Sequence, residues 1–199
     1  NAAWDSSMIK VIDDFLSEDV FSMLRDCIHS SAFPWTYVPH SSGLNPNQLD
    51  RHAIDGGASM MSSPIFAWQE KGIDYDNMWN LFLRKHDQHM PFEFPIRMKA
   101  NLYFNKGKKI QHPKHTDIND NDGNPLPNVI TSVFSFTECN GSTVICKKDG
   151  TQEEVQSKAN RIVLFNSCKH YGITQDDTPI RVILNTNVST VPPQIVNAR

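Results

Sequence analysis

The sequence has 199 residues, of which 39% are hydrophobic and 10% aromatic. This is enough for one sizeable core, so we expect a single domain over residues 1–199. A formal net charge of −3 gives no overall positive field, which argues against duplex nucleic acid or an anionic membrane as a partner. The four cysteines show no CxxC spacing, and the sequence has no apolar leader or spanning segment. These features predict a soluble, intracellular protein of the cytoplasm.

The first part of the chain, residues 1–95, is predicted to be a helical and irregular support region. It opens with a short strand around residues 8–12 and continues into a helix. Ser17 can cap this helix, and Glu18 and Asp19 suit the positive end of its dipole.

Residues 30–63 are rich in proline, glycine and serine, which predicts mainly loops. The aromatic loop from Phe33 to His40 is open to two interpretations: it covers a substrate groove or it packs against the helices. A short helix is predicted at residues 64–72. A longer one is predicted at 74–89, where apolar residues recur at helical spacing, with His86 and His89 decorating its end rather than binding zinc.

Short apolar segments separated by turn sequences fill residues 96–190. Strands after helices predict an α+β protein in which residues 96–190 form a jelly-roll, cupin-like core and the N-terminal helices pack on one sheet. Residues 191–199 are predicted to be a tail. The expected strands are 96–104, 108–115, 129–136, 142–148, 152–157, 160–166 and 181–188.

The stretch HPKHTDINDNDGN, residues 112–124, is rich in metal-ligand residue types. A calcium loop beginning at Asp117 would have Asp122 where an EF-hand requires glycine, and Asn128 where it requires glutamate. We therefore interpret residues 119–128 as a polar hairpin loop.

The HTD sequence within that stretch favours a different metal. In an extended strand, His115 and Asp117 point to the same side and can bind one cation. His112 is an odd number of residues from both His115 and Asp117, and Pro113 follows it, so the same strand face cannot present all three. We therefore expect His112 at the entrance of the site or behind the ligands. His170, after an apolar strand, offers a third ligand. Two imidazoles and one carboxylate on one face of iron(II) leave positions open for dioxygen and a chelating cosubstrate.

Arg181 opens the last predicted strand. A planar guanidinium beside such a metal suits bidentate pairing with the distal carboxylate of 2-oxoglutarate. The alternative is a surface arginine paired with Asp176 or Asp177.

In the order of these features the chain resembles the 2-oxoglutarate/Fe(II)-dependent dioxygenases, especially the prolyl 4-hydroxylase-like group. The resemblance covers most of residues 9–187 and implies a double-stranded β-helix as the core. The opening VIDDFLSEDVFSML is similar to the start of that group's catalytic domains. The motifs are Tyr103, HTD at 115–117, NGSTVI at 140–145, NRIVLFN at 160–166, His170 and Arg181.

The resemblance also implies a role for each matching residue. The chain departs from the family where a second glycine is usual after Gly141, because Ser142 stands there. The implied catalytic residues are the three metal ligands and Arg181. The assignments are His115, Asp117 and His170 for the metal, Arg181 and Tyr103 for the far carboxylate of 2-oxoglutarate, and Asn101 and Thr131 for the wall of the cosubstrate pocket.

The activity implied is an Fe(II)- and 2-oxoglutarate-dependent dioxygenase, with ascorbate as a reductant, that hydroxylates an unidentified substrate such as a prolyl residue. One alternative is a nucleic-acid oxidative demethylase of the same fold. The Asn101–Tyr103 pair and a basic patch favour it, whereas the net charge opposes it. A second alternative is a non-catalytic, cupin-like barrel that binds a metal or ligand; an intact triad with Arg181 argues against it. The patch is Arg97, Lys99, Lys106, Lys108, Lys109 and Lys114.

Overall fold

The structure, a computed structural model, describes residues 9–39, 59–67, 77–120 and 122–192. These residues form two helices and ten strands. The helices are α1 (Glu18–His29) and α2 (Asn77–His89). The strands are β1 (Ile9–Ile12), β2 (Thr36–Val38), β3 (Met60–Ala67), β4 (Phe94–Phe104), β5 (Val129–Ser135), β6 (Ser142–Cys146), β7 (Gln152–Gln156), β8 (Arg161–Asn166), β9 (His170–Ile173) and β10 (Ile180–Ser189).

The strands form two antiparallel sheets. The larger has the order β1-β8-β5-β10-β4-β3-β2, and the smaller has the order β7-β6-β9. Residues 110–119 continue the smaller sheet beyond β9 through isolated bridges, Gln111 with Ile173 and His115 with His170. This segment, predicted as a strand at 108–115, is therefore an irregular fourth strand of the smaller sheet.

Both helices pack on one face of the larger sheet. Phe21, Leu24 and Ile28 recur along one side of α1 and are buried, which is the pattern of a helix with one apolar face. They share a core with residues of the sheet that include Phe134 and Leu184. The arrangement is the one predicted, with the N-terminal helices on one sheet.

The opposite face of the larger sheet packs against the smaller sheet. Val133, Phe165 and Ile183 share a second core with Ile145 of β6. Because successive strand residues point to opposite faces, the neighbours of these residues in the chain belong to the helix-side core. Much of this inner face is polar, and it carries the site described below.

One predicted helix is wrong. Residues 64–67 of the expected helix at 64–72 belong to β3, which pairs with β2 and β4; residues 68–72 lie outside the described part of the chain. The apolar run there serves a sheet, and tertiary pairing overrides the weak local preference for a helix.

Two smaller predictions also need correction. Ser17 precedes α1, but its side chain makes no capping hydrogen bond. His170 was expected in a turn, whereas it begins β9, a strand that the sequence did not predict. This strand is only four residues long and contains Gly172, so its local pattern is weak.

Local contacts are seen in both of the loops predicted from the sequence, the polar hairpin at 119–128 and the aromatic loop that begins at Phe33. In the polar hairpin, Asn119 bridges Pro125, and the Asp120 carboxylate accepts the backbone N–H groups of Asp122 and Asn124. In the aromatic loop, Phe33 and Trp35 pack against the helix-side core. Its last residue, His40, lies outside the described residues. Neither described helix is long and apolar enough to cross a bilayer.

His86 of α2 does not decorate the helix end. Its side chain is completely buried beside Phe82 and Phe92, and neither ring nitrogen has a hydrogen-bond partner within the described residues. Burial lowers the pKa of this imidazole to about 4. The folded protein therefore holds His86 neutral.

We predict that His86→Leu makes the protein less sensitive to acid. Below pH 6.5 His86 takes up a proton in the unfolded chain, whereas in the folded protein it stays neutral down to its lowered pKa. The free energy of unfolding therefore falls as the pH drops from 6.5 towards that folded pKa. Between pH 7 and pH 5 this one group removes about 2 kcal/mol of unfolding free energy. Urea denaturation at both pH values checks it: the variant should lose about 2 kcal/mol less than the wild type, and an equal loss in both proteins would contradict the assignment.

Candidate metal centre and buried arginine

Three side chains converge between the end of the 110–119 segment and the start of β9. His115, Asp117 and His170 each present one ligand atom, and these atoms lie within 4.8 Å of one another. The His115 Nε2 is 3.6 Å from Asp117 Oδ1, and the His170 Nε2 is 3.8 Å from Asp117 Oδ2. These separations exceed hydrogen-bond lengths, so the three atoms surround a common point, as metal ligands do.

The backbone sets the two histidines side by side. His115 and His170 exchange both of their backbone hydrogen bonds, at 3.0 and 2.9 Å, and their ring centroids are 4.6 Å apart. The Nδ1 atoms lie 3.1 Å from the Pro113 carbonyl and 3.0 Å from the Cys168 carbonyl. A carbonyl can only accept, so each Nδ1 carries the hydrogen and each Nε2 keeps its lone pair for a metal.

Asp117 is the anchor of this group, with a side chain only 5% exposed. Its Oδ2 accepts hydrogen bonds from the side-chain amides of Asn185 and Asn187, both at 3.0 Å. Arg97 Nη2 lies 3.0 Å from Oδ1. Burial by itself raises the pKa of the carboxyl, but the positive charges around it, on the two imidazoles when they are protonated and on Arg97, outweigh burial and hold that pKa well below its usual range.

Further contacts tie these donors to one another. The Asn187 amide also donates to Thr131 Oγ1 at 3.1 Å, and Arg97 Nε donates to Asn187 Oδ1 at 3.1 Å. Thr131 thus lies beneath Asn187, fully buried, and supports the metal-side carboxylate. The sequence predicted it for the wall of a cosubstrate pocket.

Sequence reasoning missed three of these residues. Arg97 was assigned to a basic patch, and Asn185 and Asn187 were given no role. A usable signal was present, because residues two apart in a strand share a face, and Asn185 and Asn187 follow Arg181 along β10 at even spacing.

Arg181 is 2% exposed, which excludes the surface alternative. Its Nε donates to Ser157 Oγ at 2.6 Å and its Nη2 to Thr143 Oγ1 at 3.2 Å. Within the described residues no carboxylate forms an ion pair with it, since Asp176 and Asp177 accept hydrogen bonds from Asn140 instead. Neutral hydroxyls orient this guanidinium and leave its charge unbalanced.

Tyr103 and Asn101 lie next to the arginine. Tyr103 pairs with Arg181 across β4 and β10, and its ring centroid is 5.8 Å from the guanidinium carbon. Burial raises the pKa of the Tyr103 phenol, so it stays a neutral donor. Asn101 lies two residues earlier on the same strand face and accepts a hydrogen bond from Ser62 Oγ at 3.1 Å.

Glycine is required where the arginine crosses the smaller sheet. A Cβ on Gly141 would lie 2.9 Å from Arg181 Cδ, which is too close, and 3.0 Å from the Ile173 carbonyl oxygen, which is tight for a contact with backbone. Ser142, the departure from the family pattern, donates to the Glu154 carboxylate at 2.6 Å. The glycine that the arginine needs is thus the one retained.

Comparison of the whole chain gives its fold. No protein-family model matches the sequence, and no curated protein matches it. Among solved structures, a prolyl-4-hydroxylase from Pseudomonas putida is similar, with a TM-score of 0.62, 15% identity and 94% of each chain covered. This chain has a 2-oxoglutarate/Fe(II) oxygenase fold. A Trichoplax adhaerens prolyl hydroxylase, solved with a peptide fragment of hypoxia inducible factor, has a TM-score of 0.64, 10% identity and 98% and 89% coverage of this chain and its own.

A third oxygenase of the same fold was solved with the cosubstrate. It is the viral collagen prolyl hydroxylase of Paramecium bursaria Chlorella virus-1 in its 2-oxoglutarate complex. Its TM-score is 0.57 and its identity 12%, with 94% of this chain and 98% of that chain covered. The oxygenase fold is therefore matched over nearly the whole length of each chain.

The contacts to Asp117 predict the effect of Asn187→Leu. The change removes one N–H donor from the carboxylate and frees Arg97 and Thr131, so we expect metal affinity to fall about 10- to 100-fold. Titration with Mn(II) measures it, and Asn105→Leu is the control, because the Asn105 side chain donates to the Thr178 carbonyl and accepts the Gly107 N–H, and neither bond involves Asp117. An Mn(II) affinity that falls no further in Asn187→Leu than in the control would contradict the role.

Proposed function

We propose that the protein is an oxidoreductase, a 2-oxoglutarate- and Fe(II)-dependent dioxygenase that hydroxylates a substrate. The observation that carries the proposal is the combination of a His-Asp-His ligand group with a buried guanidinium that pairs with no carboxylate in the described part of the chain. The two are close in the fold, since Gly172, two residues after His170, lies against the Arg181 guanidinium. A metal chelator that ends in a carboxylate would use both.

The residues present fit iron(II). Two imidazoles and one carboxylate form the ligand set of non-haem iron oxygenases, which leaves adjacent positions open. His115, Asp117 and His170 would hold the ion, and their Nε2 and carboxylate oxygen atoms already face one point. Asn185, Asn187 and Arg97 would keep the carboxylate deprotonated and fixed in orientation.

The residues also fit 2-oxoglutarate. Arg181 would bind the far carboxylate through a guanidinium that neutral hydroxyls already hold in place, and Tyr103 would add its phenol. Asn101 would lie at the wall of the same site. When bound, iron and 2-oxoglutarate together supply the activation of dioxygen that oxidises a substrate C–H bond, with succinate as coproduct and ascorbate as the reductant that keeps the iron in its ferrous state.

We propose one oxygenase domain for the chain, with the double-stranded β-helix as its core. The strand orders β4-β10-β5-β8 and 110–119-β9-β6-β7 support this, because the chain changes sheet at every step from β4 to β10 except between β6 and β7, which form a hairpin in the smaller sheet. The described parts of the expected support region, residues 1–95, contribute β1, β2 and β3 to the larger sheet.

For the substrate we propose a prolyl residue of a peptide or protein. The support is the fold, which is shared with the three prolyl hydroxylases named above, one of them solved with a peptide. The nucleic-acid alternative loses part of its basis here. Of the basic patch, Arg97 is bound to Asp117 and Lys99 lies half-buried beside it, where burial lowers the Lys99 pKa to about 8. Arg97 is thus engaged by Asp117, and burial disfavours the charged form of Lys99.

Turnover of the cosubstrate tests the activity. Purified protein with Fe(II), ascorbate, dioxygen and 2-oxoglutarate should release succinate, and Asp117→Ala should release none because the metal loses its only anionic ligand. Proline-containing peptides should raise the rate and gain the mass of one oxygen atom, detected by mass spectrometry. Succinate from the wild type that does not exceed that from Asp117→Ala would favour the non-catalytic barrel.

A further inference from the structure

His112 lies deep in the site, although the sequence suggested an entrance or a place behind the ligands. His112 is only 4% exposed, and its backbone N–H donates to the Gly172 carbonyl at 2.9 Å. The ring centroid is 5.0 Å from that of Tyr103. Within the described residues, no hydrogen-bond partner faces its buried Nε2.

The imidazole is on the same side of β9 as the guanidinium. A Cβ placed on Gly172 would lie 3.6 Å from His112 Nδ1 and 3.6 Å from Arg181 Nη1. Burial first, and the charge of Arg181 next, lower the pKa of His112 to about 4, so the ring is neutral and carries one hydrogen. With that hydrogen on Nε2, the ring nitrogen that has no partner among the described residues, the imidazole is an unused donor.

Three groups that can donate a hydrogen bond lie in one buried cluster, in which no carboxylate of the described residues pairs with the arginine. They are the guanidinium of Arg181, the phenol of Tyr103 and the Nε2–H of His112. A buried donor without an acceptor is costly, and it is rarely kept where no partner arrives. A carboxylate offers about four lone-pair positions, enough for two hydrogen bonds from the arginine and one from each ring.

We propose that His112 is a third donor to the far carboxylate of 2-oxoglutarate and thereby contributes to selection of a dicarboxylate over a monocarboxylate 2-oxo acid. This rests on the proposed function and adds to it a specificity-determining residue. It assigns His112 no part in holding the metal, because its Nε2 belongs to the cluster around Arg181.

The test measures binding without turnover, by calorimetry in the presence of Mn(II). Two probes are used: 2-oxoglutarate, and 2-oxobutyrate, which keeps the chelating end and lacks the far carboxylate. His112→Leu should weaken 2-oxoglutarate about 10- to 100-fold, the effect of one hydrogen bond to a charged group. It should leave 2-oxobutyrate and Mn(II) affinities unchanged, and His112→Gln, which restores an N–H donor, should recover most of the loss.

His86→Leu is the matched control, because His86 is also a buried neutral histidine whose ring has no hydrogen-bond partner among the described residues, but it lies on the helix side of the larger sheet. It should change neither affinity. Thermal unfolding shows whether each variant folds. If His112→Leu does not fold, His112→Phe replaces it, because phenylalanine keeps a ring packed against Tyr103.

Two results would overturn the inference while the proposed function stands. One is 2-oxoglutarate affinity unchanged in folded His112→Leu or His112→Phe; the other is an equal loss for both probes, which would make the role structural. Wild-type protein that binds neither probe in the presence of Mn(II) would instead overturn the proposed function, and the role of His112 with it.

Discussion

The guanidinium of Arg181 is the constraint on which the site depends. Arg181 is 2% exposed, and its guanidinium donates hydrogen bonds to the neutral hydroxyls of Ser157 and Thr143. No counter-ion for it is present among the described residues. Burying a charge in this way costs on the order of several kcal/mol. Folding does not recover that cost within these contacts, whereas an anionic ligand would. Gly141 gives the side chain room to cross the smaller sheet, so the backbone too is fitted to this one cation.

A buried anion, the Asp117 carboxylate, contacts the same strand, β10, through Asn185 and Asn187, and it forms no ion pair with Arg181. Asp117 is held by Arg97, Asn185 and Asn187, which leaves Arg181 without it. Because β10 alternates its side chains between faces, Arg181 and both asparagines reach the inner face while Val182 and Leu184 fill the helix-side core. One strand thereby supports the metal side at one end and the anion side at the other.

Much of the site could be predicted from sequence because its main residues follow strand alternation and an ordered set of motifs. His115, Asp117 and His170 are brought together in the structure, and Arg181 is buried beside Tyr103. The partners Thr143 and Ser157 could not be predicted, since they reach Arg181 from another sheet. The burial of His86 and His112 was missed for a related reason: spacing along the chain shows which face a residue shares, and not what packs over it. The strand β9 was not predicted because its four residues are too few to show an alternation of apolar and polar side chains.

The central claim is that Arg181 is reserved for an anion on a metal-bound ligand. It is tested by 2-oxoglutarate affinity, measured by calorimetry with Mn(II), in the wild type and in Arg181→Met. Arg161→Met is the control, because it makes the same substitution at an arginine whose charge is already paired with Asp13. The account predicts a loss of at least about 30-fold in Arg181→Met, with Mn(II) affinity nearly unchanged and no such loss in the control. Equal losses of 2-oxoglutarate and Mn(II) affinity, or no loss of either, would contradict it.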